Sequence, residues 1–293
     1  MKNTLDVNTK SHFPAFLGIL TIIIAGQLFL IPFSFGIRSF FQFIWNTQSA
    51  NSFIAVLIAG QINALLTLFI CLYVFSLANQ LSISENVRNF LLPVIHLKRE
   101  ILKFVIVCVP ILIASQICVI GVGFSILHII SLLGLSDILP SPQPSAASLP
   151  WWFFIFPMII APIIEEILFR GIILQGFLTR YSPIRAIVFS SLLFGIWHLS
   201  VPQMISGTIL GIFVGWIFIR TKSLIVAIVC HSIVNTLLVG NITPKIIELF
   251  SGINITTVTP ATIPMFPLWF IGVSLCFSVL GILFLHRTLP KLS

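Results

Sequence analysis

Ile163-Ile164-Glu165-Glu166-Ile167-Leu168-Phe169-Arg170 lies inside an apolar run long enough to cross a bilayer, and it holds two of the chain's seven acidic residues. An ionisable group at membrane depth costs a few kcal/mol even on lenient insertion scales, so such a group marks a functional site by default. Spacing separates the two carboxylates. Glu166 and Arg170 stand four apart with the acid first, the favourable order for an ion pair on one helical face. Glu165 points about 100° away and is left for other work. A purely structural reading, in which a Glu-Arg clamp ties helices together and Glu165 faces water, stays open from this stretch alone.

The rest of the chain sets the environment. Of its 293 residues 58% are hydrophobic and 8% charged, against roughly 25% charged in soluble domains. The expected fold is an all-α, polytopic transmembrane bundle of about eight spans: 13–33, 53–77, 104–133, 151–175, 184–200, 205–219, 224–240 and 267–286. With a cytoplasmic N-terminus, twelve basic residues fall inside (Lys2, Lys10, Arg88, Lys98, Arg99, Lys103, Arg180, Arg185, Arg220, Lys222, Arg287, Lys291) and two outside, Arg38 and Lys245. That asymmetry predicts both termini in the cytoplasm.

The net charge of +8 is spread in ones and twos beside apolar runs. It reads as topology signal and not as nucleic-acid binding; the densest charge, over 78–103, reads as an interfacial cytoplasmic connection resting on anionic membrane lipids. Cys71, Cys108, Cys118, Cys230 and Cys276 show no CxxC spacing, so neither a disulfide framework nor a zinc knuckle is expected. Lys2 and Lys10 precede a span without a small-x-small cleavage site, which reads as a retained first span. The expected organisation is N-terminal accessory helices over 1–148, a core over 149–240 holding the polar residues, and an outer loop with the last span over 241–293.

Several local signals refine this. Pro140, Pro142, Pro144 and Pro150 make 135–150 an extended outer loop, and Trp151 and Trp152 mark the interface where the fourth span begins. Pro162 predicts a kink near Met158. Gly207, Gly211 and Gly215 form a doubled GxxxG stripe suited to close helix packing. Asn241 and Asn254 open Asn-Ile-Thr sequons in the 241–266 connection.

Two further polar pairs sit in apolar runs: Phe194 with His198, and His231 with Asn235, the latter on one helical face. From the helical rise, Glu165 lies about 22 Å from Arg180, His198 about 20 Å from Arg185 and His231 about 14 Å from Lys222. All three fit in the middle of a core about 30 Å thick. A Glu, two imidazoles and an amide in one pocket could polarise a water, accept its proton and steady an oxyanion.

The succession EExxxR (Glu165, Glu166, Arg170), FxxxH (Phe194, His198) and HxxxN (His231, Asn235) resembles the CAAX protease and bacteriocin-processing family, also called the Abi family. Its eukaryotic relatives include the type II CAAX prenyl endopeptidase. The resemblance covers 150–240, with all three motifs intact; the first 148 residues share only the family's habit of extra N-terminal spans. It implies an intramembrane endopeptidase acting on a membrane-associated substrate, prenylated or bacteriocin-like, while the compact loops and low charge favour a prokaryotic cell membrane. Glu165 would activate water with His198, while His231 and Asn235 would stabilise the oxyanion. Glu166, Arg170 and Phe194 would be supporting structure. Zinc stays open: Glu165, His198 and His231 would make a His₂Glu set, yet no HExxH helix is present and the metal-free reading is preferred. From another class, a proton-coupled transporter could use the same buried Glu/His cluster.

Overall fold

The structure is a computed structural model that describes residues 14–26, 28, 62, 65–74, 76–77, 83–86, 99–134, 154–198, 201–258 and 263–288. Every regular element among them is helical. The helices are α1 (Phe16–Gly26), α2 (Leu65–Val74), α3 (Arg99–Leu132), α4 (residues 156–178), α5 (Pro183–Trp197), α6 (Val201–Thr221), α7 (Leu224–Val239), α8 (Ile242–Ser251) and α9 (Leu268–Thr288), with a single turn at Ile83–Asn86. The proline-rich connection with Trp151 and Trp152, and most of the charged 78–103 segment, lie outside the described residues.

Three described helices are long and apolar enough to cross a membrane, in α3 (Val105–Leu132), α6 (Pro202–Thr221) and α9. A fourth crossing arises if α7 and α8, bent by 56° at their junction, form one span. Helices α1, α2 and α5 are apolar but shorter. The protein is an integral membrane protein whose exposed side chains are those that suit acyl chains: Leu132, Leu275, Phe277 and Leu283 are each more than half exposed.

One expectation is corrected. Residues 242–251, read as part of an outer loop, form helix α8, because Pro244 falls in the first turn, where its missing N–H costs nothing. Thr243, Pro244 and Ile247 face inward while Leu249 and Phe250 face out, and Asn241 turns the corner in the left-handed region (φ 61°). Around Pro162, α4 alternates between helix types: π over Phe156–Ile160, α over Ala161–Glu166, π over Ile167–Leu174 and α over Gln175–Leu178. Such wide turns are uncommon and cluster at functional sites.

Small residues set the helix spacing around α4. A Cβ on Gly211 would come within 2.9 Å of Ser191, one on Gly207 within 3.4 Å of Gly195, and one on Gly215 within 3.5 Å of Ile187. The glycine stripe of α6 therefore packs along α5. Helix α9 lies on α3 in the same manner, with Gly281 against Ile111, Gly121 against Ile271, and a Ser115–Ser278 hydrogen bond. Caps locate the ends: Pro183 opens α5, and the Ser223 hydroxyl accepts from the Val226 N–H at the start of α7.

Candidate active site

The α segment of α4 presents its two carboxylates inward, and Glu166 is fully buried. Arg170 Nη1 donates to Glu166 Oε1 at 2.7 Å, the i,i+4 pair that the spacing favours. Its Nη2 reaches the backbone carbonyl of Gly211 on α6 at 3.1 Å. A second imidazole enters from α7: His231 Nδ1 stands 2.8 Å from the same Glu166 oxygen. A carboxylate that also binds a guanidinium is an acceptor, so the hydrogen sits on Nδ1. His231 Nε2 then faces Glu165 Oε2 at 3.8 Å. Arg170, Glu166, His231 and Glu165 thus form one line across two helices.

His198 is the C-terminal residue of α5's last turn, and its Nδ1 donates to the Phe194 carbonyl four residues back at 2.9 Å. That contact fixes the ring by its own helix and leaves Nε2 for the cavity. Between the two imidazoles stands Phe194, nearly fully buried. Arg170 lies over its face, 4.8 Å from the centroid. His198 and His231 meet it edge-on, at 5.0 and 5.5 Å with interplanar angles of 86° and 90°. Cation and ring edges are each where the quadrupole favours them.

Asn235 solves a problem set by Pro162. In the π register of α4 the Ala161 N–H bonds to the Phe156 carbonyl, five residues back. The next bond in that register would run from residue 162 to Pro157, but proline has no N–H. Asn235 Nδ2 donates to the Pro157 carbonyl at 2.7 Å in its place. The amide keeps a second N–H for another acceptor.

Glu165, Phe194, His198, His231 and Asn235 all line one cavity of about 540 Å³. Its remaining walls are mainly apolar, from α3, α6 and Ile282 of α9. As a zinc site the set does not fit. Among the described residues no three His, Cys, Asp or Glu side chains come together to hold a metal. Motif spacing missed Pro157 and Gln116, which hold or line the site; Gln116 could have been found as a polar residue in an apolar run.

Helices of a membrane protein thus bring an acid, two imidazoles and an amide to the wall of one largely apolar cavity. Residues 147–237 match the Rce1-like type II CAAX prenyl endopeptidase family. YdiL of Bacillus subtilis (strain 168), provisionally named a membrane peptidase, is 35% identical over 81 residues, covering 28% of this chain and 33% of that protein. The chain thus matches about a third of the length of this curated relative. No solved structure gives a significant match.

Proposed function

We propose that the protein is an intramembrane endopeptidase that hydrolyses a peptide bond of a membrane-associated protein or peptide. The observation carrying this reading is that Glu165, His198, His231 and Asn235 border one cavity while Glu166 and Arg170 lock the imidazole that faces Glu165. A water between Glu165 and His198 Nε2 loses its proton to Glu165 as its oxygen attacks the carbonyl carbon. The second Asn235 N–H donates to the resulting oxyanion, with His231 as the other side chain assigned to steady it. Collapse breaks the C–N bond, and the Glu165 proton leaves with the amine. The apolar walls at Val119, Leu210, Phe213 and Trp216 suit a substrate drawn from lipid.

The test compares membrane peptides in cells carrying the parent chain and Glu165→Gln. The expected result is one or more peptides accumulating uncut in the variant; identical peptide profiles in the two strains, with both proteins inserted, overturn the reading.

A further inference from the structure

The cavity has a wall outside the matched domain. Leu112, Ser115, Gln116, Val119 and Ile120 of α3 line it, and α3 ends at Leu132, ahead of residue 147. Gln116 is the one of these that reaches across. Its Nε2 donates to the carbonyl of Val234 on α7 at 2.7 Å. Its Oε1 accepts from the Thr243 hydroxyl on α8 at 2.6 Å, and Thr243 is fully buried. One amide therefore grips both arms of the bent α7–α8 pair, across the left-handed corner at Asn241.

An amide in an apolar helix is costly unless both ends are bonded, and here both are. The bond falls at Val234, three residues after His231 and one before Asn235, so it fixes the rotation of α7 about its own axis. This contact locates the His231–Asn235 face without using either side chain.

We infer that Gln116 is a positioning residue of the site: through Val234 and Thr243 it holds the turn of α7 that aims His231 at Glu165 and Glu166. The role assigned to that turn rests on the peptidase reading, but the placement itself is testable without turnover. The probe is the histidine ring. With ¹⁵N-labelled histidine in detergent-solubilised full-length protein, the His231 signal is identified by its loss in His231→Gln. The parent is expected to show a single Nδ1–H form.

Gln116→Leu combined with Thr243→Val removes both partners and leaves no orphaned group. A melting temperature near the parent's, with the His231 signal changed to a mixture of tautomers, is the expected result. An unchanged melt and an unchanged Nδ1–H signal overturn the proposal and make Gln116 a satisfied packing residue. Should that pair fail to fold, Gln116→Met keeps the side-chain length and lets the Thr243 hydroxyl turn to its own helix; the same signal decides. A parent with mixed tautomers also overturns the proposal, whereas the endopeptidase reading stands or falls separately on the Glu165→Gln peptides.

Discussion

Two adjacent carboxylates that meet His231 at different distances should respond differently to the same substitution. Glu165→Gln keeps the shape of a side chain whose ion pair is the looser one, 3.8 Å from His231 Nε2, so the melt in detergent should change little while cleavage falls by about 10²–10⁴, the usual worth of general-base work. Glu166→Gln removes the negative charge shared by Arg170 and His231 and leaves a buried guanidinium without its counter-charge, a loss of about 3–5 kcal/mol. A large drop in melting temperature should therefore accompany any loss of activity there. If the two variants melt alike, the division of labour between the neighbours is wrong. The local half of this was legible in the sequence, because Glu166 and Arg170 are related by helix geometry alone. The choice of His231 Nδ1 for Glu166 was not, since the rotation of α7 against α4 sets it. Phe194 shows the same limit: its motif spacing marks it, but only packing explains how one ring braces a guanidinium and two imidazoles.

At the scale of helices, Pro162 and Asn235 form a complementary pair: one deletes a backbone donor and the other supplies it from a different helix. Pro162→Ala restores an N–H able to bond within α4, in competition with Asn235 Nδ2. The chain should be at least as stable, by as much as about 3 kcal/mol. Turnover should fall by up to about a hundredfold if the amide swings away. Faster cleavage in this variant would count against a role for the widened turn. Glycines offer a second contrast. Gly195→Ala drives a methyl into Thr208 and the Met204 carbonyl and should cost about 1–3 kcal/mol. Gly123→Ala and Gly272→Ala meet nothing within 4 Å and should be neutral or slightly stabilising, all three read by thermal denaturation in one detergent. The stripe on α6 could be read as small residues at helical spacing; that its partner is α5 needed coordinates. Helix α8 escaped the sequence reading because Pro244 and a sequon look like loop chemistry, whereas its amphipathic face is evident only when Ile247 finds a core to enter.

For the molecule as a whole, the path of α7 and α8 through the bilayer decides where the site lies. The bend of 56° permits two arrangements, a broken span or a re-entrant pair that returns to the side it left. Charge favours the span. Arg220 and Lys222 precede α7, while Lys245 is the only basic residue between α7 and α9, and basic residues mark the cytoplasmic side. Lys222, held at φ 52° in the link between α6 and α7, should therefore face the cytoplasm, and Asn254, beyond α8, the opposite side. In a chain with its five cysteines replaced, Asn254→Cys should react with a membrane-impermeant maleimide in intact cells. Lys222→Cys should react only in inverted vesicles. Labelling of both from one side would make α7–α8 re-entrant and remove one crossing from the eight-span arrangement. In either arrangement α7 enters from the α6–α7 link, and the cavity runs along α6 from Gln203 to Trp216, thirteen residues or about 20 Å of helix, so the side on which Lys222→Cys reacts is the side toward which Trp216 lies.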